Sequence, residues 1–267
     1  MISVLAIGAA GVMTMMLVLW LIHLKTGNAS VVDPGWAGGL ALLALIYAAL
    51  VPGYAPRLWM ITMMAVIWGL RLAVYLLLTR VIGHPEEGRY GELRRKWQTH
   101  IPLKFLAFFE FQALLCVVLS VPFLLAMRNP RPEIAAMEWA GAAVWLVAFI
   151  GEVLADQQLH WFKTNPANKG KTCRAGLWNY SRHPNYFFEW LIWVGFAMFA
   201  TAAPFGYLSW ICPAMMLYFL FKVTGIPATE AQALRTKGED YRAYQQTTSA
   251  FVPWLPKTFS DGSPHAR

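Results

Sequence analysis

Long apolar runs separated by short polar loops make up most of the chain. Most runs are long enough to cross the roughly 30 Å hydrocarbon core of a bilayer as α-helices. We therefore predict an all-α fold, a polytopic membrane helical bundle of about seven transmembrane helices, with residues 1–267 forming one integral membrane domain. The predicted spans are 2–22, 36–51, 58–78, 105–127, 135–161, 186–202 and 205–221.

The positive charges predict the orientation of this bundle. When the N-terminus is placed outside, most of the 22 Lys and Arg residues fall on the inner side. The outer side then holds only Arg57, Arg128 and Arg131. Cytoplasmic loops carry an excess of Lys and Arg. The pattern thus predicts a membrane protein with a periplasmic N-terminus, a cytoplasmic C-terminus and the lipid bilayer as partner.

Composition agrees with a membrane protein and excludes several other classes. Of the residues, 58% are hydrophobic and 13% charged, an apolar share above that of ordinary soluble domains. The net charge of +8 does not indicate a nucleic-acid partner, because no basic stripe is interleaved with exposed aromatics. Cys116, Cys173 and Cys212 lack the spacing of a metal site or a disulfide framework, so we expect no metal.

Arg71 lies in the third predicted span, one helical turn before Tyr75. An arginine inside the membrane needs a carboxylate or phosphate partner and is a functional hypothesis by default. The alternative is an ion pair that only ties helices together, for example with Glu110. The sequence leaves both interpretations open.

The fifth predicted span ends in a polar stripe. On a helix, Glu152, Asp156 and Lys163 fall within roughly 40° of one another. Carboxylates in an apolar segment are costly and usually face a bundle interior or a wet cavity. The stripe is therefore a candidate site, although the same residues at the membrane surface would simply be solvated.

The loop after this span is basic and leads into a polar helix start. Its cations suit an anionic ligand such as a phosphate, although positive-inside topology alone would also explain them. Pro184 suits a first helical turn, after which Asn185 and Glu189 share one face. The cations of the loop are Lys163, Lys169, Lys171, Arg174 and Arg182.

Three stretches of the chain carry a resemblance to known proteins. They are the segment GLWNYSRHPNYFFEW, the upstream pair Glu152 and Asp156, and the tail GIPATEAQALRTKGEDYRAYQQTTSAFVPWLP. Together they resemble a bacterial family of uncharacterised membrane proteins, DUF1295. That family is related to the C-terminal domain of steroid 5-alpha-reductases and, more distantly, to isoprenylcysteine carboxyl methyltransferases. The resemblance is specific over about residues 151–256.

The resemblance to the reductases implies a membrane-embedded enzyme that transfers a hydride from NADPH to an activated C=C bond of a lipid-soluble substrate. It implies that Arg71 and Tyr75 line the cavity, and we assign them catalytic roles, with Tyr75 as the donor that stabilises developing negative charge on the substrate oxygen and Arg71 tuning it. The position of the substrate-polarising tyrosine is held here by Trp68, which has no hydroxyl group. The residues implied to bind the cofactor are Glu152, Asp156, Lys163, Lys171, Arg182, His183, Asn185, Tyr186 and Glu189.

Two other functions stay open at this stage. The more distant resemblance implies an S-adenosylmethionine-dependent membrane methyltransferase, for which the tail supplies Glu230, Leu234, Tyr241 and Tyr244. S-adenosylmethionine has no phosphate, so the basic loop favours NADPH. A non-catalytic membrane or lipid-binding protein is the third hypothesis.

Overall fold

Helices form nearly all of the regular structure. The computed structural model describes residues 1–223 and 225–257, in which the only β pairing is one isolated bridge between Ser181 and Ser249. Short 3-10 and π turns extend several helices. The α-helices are α1 Ile2–Thr26, α2 Val32–Leu50, α3 Ala55–Leu76, α4 Gly88–Trp97, α5 Ile101–Leu119, α6 Val121–Met127, α7 Ala136–Thr164, α8 Pro184–Thr201, α9 Ile211–Tyr218, α10 Ile226–Lys237 and α11 Glu239–Thr247.

Six helical segments in the described part of the chain are long and apolar enough to cross a membrane. This confirms the predicted all-α polytopic membrane fold; length and composition select six spans where about seven were predicted. Helix α8 has 18 residues and begins with a polar turn, so its composition falls short. The second span is longer than predicted, because a 3-10 turn at Ala29–Val31 precedes α2. The six segments are Ile2–Thr26, Ala29–Leu50, Ala55–Val81, Ile101–Met127, Ala136–Thr164 and Gly206–Lys237.

The chain divides into two compact units, each built from two segments. The first unit comprises Met1–Ala142 and Phe196–Cys212, and the second comprises Ala143–Gly195 and Pro213–Arg267. The predicted single domain over residues 1–267 stays a prediction.

Helices α2 and α3 pack closely in the first unit, because glycine removes the side chain from their contact. A Cβ atom added at Gly69 would lie 2.7 Å from the backbone oxygen of Ala37 and 3.2 Å from the Cβ of Ala41. Trp68, beside Gly69, is fully buried and meets the ring of Trp36 edge-on at 6.2 Å. Trp68 is therefore a core residue of this helix pair.

We expect the Gly69→Ala substitution to lower the free energy of unfolding by about 1–3 kcal/mol, since the added methyl group overpacks a backbone contact that cannot yield. The matched control is Gly38→Ala, where the new Cβ atom would meet only Ala73 Cβ at 3.9 Å, an ordinary contact. Thermal unfolding in detergent measures both variants. Equal stability of the two would contradict the close packing of α2 against α3.

A buried ion pair holds the start of α3 to the start of α7. Arg57 was predicted to lie in an outer loop, but its side chain and that of Glu138 are both 0% exposed. Arg57 Nε donates to Glu138 Oε1 at 2.5 Å, and Arg57 Nη2 donates to Oε2 at 3.1 Å. Glu138 Oε2 also accepts the backbone N–H of Ala135 at 2.7 Å, as a glutamate in a capping box does.

Helix α4 is clamped to the α1–α2 connection by two carboxylates. Asp33 accepts hydrogen bonds from Arg89 and from the Tyr90 hydroxyl, the latter at 2.6 Å. Glu86 accepts the backbone N–H of Ala29 in the α1–α2 connection at 2.8 Å and two hydrogen bonds from Arg94, at 2.9 and 3.0 Å. Burial alone would raise the pKa of Glu86, but the hydrogen bonds and charge of Arg94 lower it overall. Glu86 is therefore ionised at neutral pH and keeps α4 in place.

Candidate functional site

The polar stripe of α7 faces the protein interior. Glu152 and Asp156 are buried, with 2% and 5% of their surface exposed. Lys163, two turns further along α7, is exposed. Asp156 Oδ1 accepts a hydrogen bond from Asn185 Nδ2 of α8 at 3.3 Å. The prediction that these carboxylates are not merely solvated at a surface is confirmed, and the structure brings Asp156 and Asn185 together.

The basic loop between α7 and α8 folds back onto α7. The indole Nε1 of Trp178 donates to the Ala155 carbonyl at 2.9 Å, and the Leu177 N–H donates to Gln158 Oε1 at 2.9 Å. Gly170 has φ +80° and open space at its Cβ position. The turn that it makes leaves the adjacent backbone accessible to a ligand.

The cations of this loop divide into paired arginines and exposed lysines. Arg174 forms an ion pair with Asp240 of α11 at 2.9 Å, and Arg182 forms one with Glu230 of α10 at 2.7 Å. Lys163, Lys169 and Lys171 are exposed. Within residues 1–223 and 225–257, Lys169 and Lys171 have no carboxylate partner. Lys169 and Lys171 are therefore exposed cations without a carboxylate partner in the described chain, whereas both arginines are already paired.

Glu230 organises what we call the tail clamp, formed by Arg182, His183, Glu230 and Gln245. Glu230 Oε1 accepts from Arg182 Nε at 2.7 Å and lies 3.2 Å from His183 Nε2. Glu230 Oε2 accepts from Gln245 Nε2 at 2.7 Å. Arg182 Nη1 also donates to the carbonyl oxygens of Gln245 and Thr248, at 3.0 and 2.6 Å. The clamp holds α10 and α11 against the start of α8.

Tyr244 completes the attachment of the tail to the basic loop, which also contains the buried thiol of Cys173. The hydroxyl group of Tyr244 donates to the carbonyl oxygens of Trp178 and Ser181, and burial raises the pKa of Tyr244. Burial also raises the pKa of Cys173, so this thiol stays protonated and unreactive at neutral pH. Thus Tyr244 is neutral and hydrogen-bonded to the loop backbone.

The first turn of α8 carries the remaining predicted site residues. The ring of His183, just before α8, is buried and stacks on that of Tyr186, with centroids 5.4 Å apart and 6° between the planes. The Tyr186 hydroxyl lies 3.3 Å from Thr229 Oγ1. Glu189, one turn further on, is half-buried. A cofactor role for Arg182, His183, Tyr186 and Glu189 stays a prediction, since three of them contact the tail.

Arg71 and Tyr75, predicted to be catalytic, belong to the first unit. The guanidinium carbon of Arg71 lies 5.7 Å from the centre of the Tyr75 ring, within cation–π range. Glu110 Oε2 is buried without a hydrogen-bond partner in the described chain. The alternative of an Arg71–Glu110 ion pair is therefore not observed.

Two carboxylates of the tail were missed as partners of the basic loop. Asp240 accepts from the Thr172 N–H at 2.7 Å as well as from Arg174. Burial alone would raise the pKa of Asp240, but Thr172 and Arg174 lower it overall. The sequence did contain a signal for this pairing, because acidic residues at 239 and 240 begin a helix downstream of a cationic loop. The described residues hold no group of three His, Cys, Asp or Glu suited to a metal ion.

Comparisons with known proteins give a family without an assigned activity. No solved structure matches the chain. An uncharacterized protein of Schizosaccharomyces pombe is 28% identical over 266 residues, which cover 89% of this chain and 76% of that protein. The family described as "Protein of unknown function (DUF1295)" matches residues 19–248. Together with its apolar helices, this match identifies the chain as an integral membrane protein that belongs to the DUF1295 family.

Proposed function

We propose that this protein is a membrane-embedded NADPH-dependent reductase that acts on an activated C=C bond of a lipid-soluble substrate. One observation carries the proposal. The helix that buries Glu152 and Asp156 ends with the exposed Lys163 and continues directly into a loop with the exposed Lys169 and Lys171. Buried carboxylates next to exposed cations suit a ligand that is polar at one end and polyanionic at the other.

The exposed lysines fit the phosphates of NADPH. A dinucleotide phosphate needs several cations, and ammonium groups bind phosphate as point charges without a fixed geometry. Arg174 and Arg182 are already paired with Asp240 and Glu230. Phosphate binding is therefore assigned first to Lys169 and Lys171, with Lys163 included because it is exposed at the end of α7. The proposed role of Arg182 shifts to holding the tail.

Asp156 and Asn185 fit the uncharged polar groups of the same cofactor. The carboxylate accepts hydrogen bonds, and the amide both donates and accepts. Their mutual hydrogen bond of 3.3 Å orients both side chains before a ligand arrives. NADPH supplies the hydride. The chain supplies the fixed polar groups, in a buried place where hydrogen bonds are stronger than in water.

The substrate side of the reaction rests on fewer observations. The relation to the steroid 5-alpha-reductases and the catalytic roles of Tyr75 and Arg71 remain predictions from the resemblance. Their cation–π contact of 5.7 Å supports a coupled pair, because a cation over an aromatic ring attracts it electrostatically and fixes the two side chains relative to each other.

An S-adenosylmethionine-dependent methyltransferase is the second candidate. The tail residues that favour it are occupied by contacts within the protein, since Glu230 binds Arg182 and Tyr244 binds the loop backbone. S-adenosylmethionine also leaves the three exposed lysines without a phosphate to bind. The reductase is therefore the better supported proposal.

Equilibrium binding to the detergent-purified protein tests the proposal. We expect NADPH to bind, and the Lys163→Ala and Lys171→Ala variants to lose about 1.5–3 kcal/mol of binding free energy each, as for hydrogen bonds to charged groups. The matched control is Lys257→Ala, another exposed lysine of the second unit, which should bind NADPH as the unmodified chain does.

Other outcomes point to the other functions. Binding of S-adenosylmethionine without NADPH would reject the reductase in favour of the methyltransferase. Failure to bind either cofactor, with Asp156→Ala leaving the protein's cellular effect intact, would favour a non-catalytic protein.

We also infer a bacterial inner-membrane location with the N-terminus outside and the C-terminus inside. The tail clamp joins Arg182, just before α8, to Glu230 of α10. The chain therefore enters α8 and leaves the following helical span at the same end. We accordingly count α8 as the seventh crossing. Because Arg57 is buried against Glu138, the proposed outer loops keep only Arg128 and Arg131, which strengthens the positive-inside asymmetry.

A further inference from the structure

A cleft of about 210 Å³ lies in the first unit between the end of α1, helix α4 and the start of α5. Apolar and polar groups line it together. The apolar wall comes from Leu24, Ile101 and Pro102, and the polar wall from His23 and Arg94. Such a mixed lining is typical of a site for an amphipathic ligand.

Helix α4 lies at the membrane surface. Only residues 82–100 separate the span Ala55–Val81 from the span Ile101–Met127, so α4 cannot extend far from the bilayer. The clamp by Asp33 and Glu86 holds it there in one orientation. The cleft therefore opens where phospholipid headgroups lie.

Arg94 keeps donors available to a ligand. Its Nε and Nη2 groups bind Glu86, and Nη2 also donates to the Gly27 carbonyl at 3.0 Å. Its Nη1 group makes no hydrogen bond to any residue that the structure describes. Arginine N–H groups bind phosphate oxygens with strong charge-assisted hydrogen bonds.

Three exposed cations are sequence neighbours of residues that line the cleft, although none of the three lines it. Lys25 follows Leu24, and Arg95 and Lys96 follow Arg94. All three are exposed, and Arg95 and Lys96 make no ion pair in the described part of the protein. Glu86 balances only Arg94, so the surroundings of the cleft carry an excess of positive charge.

We propose that this cleft binds the headgroup of an anionic phospholipid, with Arg94 Nη1 on the phosphate and the lipid's apolar part against Leu24, Ile101 and Pro102. The exposed cations Lys25, Arg95 and Lys96 raise the positive potential of the surrounding surface. Basic pockets beside transmembrane helices bind such headgroups. This proposal does not depend on the reductase activity.

Lipid titration of the purified full-length protein in neutral detergent tests the proposal, with dioleoyl-phosphatidylglycerol against dioleoyl-phosphatidylcholine. We expect at least 25-fold tighter binding of the glycerol lipid, as about fivefold for each of at least two cations near the surface implies. The Arg95→Gln/Lys96→Gln variant should lose about 25-fold, at fivefold for each cation. Because neither side chain pairs within the described chain, its melting temperature without lipid should not change.

Two further measurements keep the result specific. Arg128→Gln removes an exposed cation beyond the other end of the span Ile101–Met127 and should leave lipid binding unchanged. Equal affinity for the two lipids, or unchanged binding by the double variant, would overturn the proposal. Displacement of the lipid by inorganic phosphate at equal concentration would also overturn the proposal, because the ligand would then be a soluble anion.

Discussion

The Glu138→Ala variant should lose about 3–5 kcal/mol of unfolding free energy, the usual cost of leaving a buried charge without its partner. Arg57 is 0% exposed, and its guanidinium group would keep only backbone carbonyl oxygens as acceptors. The Ala135 N–H at the start of α7 would also lose its acceptor. Thermal or denaturant unfolding in detergent measures the loss.

Two controls separate the ion pair from a general effect of removing a glutamate. Glu133→Ala changes an exposed glutamate in the same connection and should cost less than about 0.5 kcal/mol. The Arg57→Met/Glu138→Leu variant removes both charges and should lose clearly less than the two single substitutions summed. Additive losses would mean that the two side chains are not coupled.

The Glu230→Ala variant should release the C-terminal helices while the rest of the protein stays folded. Arg182 and His183 would lose their carboxylate partner, and Gln245 would lose its acceptor. The side chains of Arg182 and Glu230 are only 11% and 15% exposed, so we expect a cost of about 3 kcal/mol, the lower end for a buried pair. Limited proteolysis should then cut near α10 and α11 about 100-fold faster.

The control for this variant is Glu239→Ala in the same tail. The side chain of Glu239 is 84% exposed and contacts only Arg242 on its own helix, and such surface pairs contribute little. Its cleavage rate should match that of the unmodified protein. A Glu230→Ala protein with an equally protected tail would show that the clamp does not hold α10 and α11.

Hydropathy predicted the spanning helices because burial in lipid demands long apolar helices. It placed the fifth span at 135–161, and α7 covers Ala136–Thr164. It also placed a span at 186–202, where α8 covers Pro184–Thr201, although the polar first turn lowers the mean hydropathy of this helix. Charge counting failed at Arg57. It assumes that an arginine near a span end is solvated, whereas Arg57 is paired with a residue 81 positions away in the sequence.

The site was predictable where its residues are neighbours on one helix. The spacing of Glu152 and Asp156 predicted a shared buried face, and both are buried. The partners of Arg174 and Arg182 could not be derived in this way, because pairing across 66 and 48 residues depends on how the tail folds back. Opposite charge alone allows many such pairings, and only the packed structure selects one.

The tail clamp also sets an order of assembly during synthesis. The ribosome makes Arg182 48 residues before Glu230, and Thr172 68 residues before Asp240. The basic loop between α7 and α8 therefore emerges from the ribosome before the acidic residues of the tail that bind it. A chain cut short before Glu230 could insert its apolar helices, yet its basic loop would stay unfastened. Helices α10 and α11, which are synthesised last, therefore decide whether the basic loop of the proposed cofactor site takes its final shape.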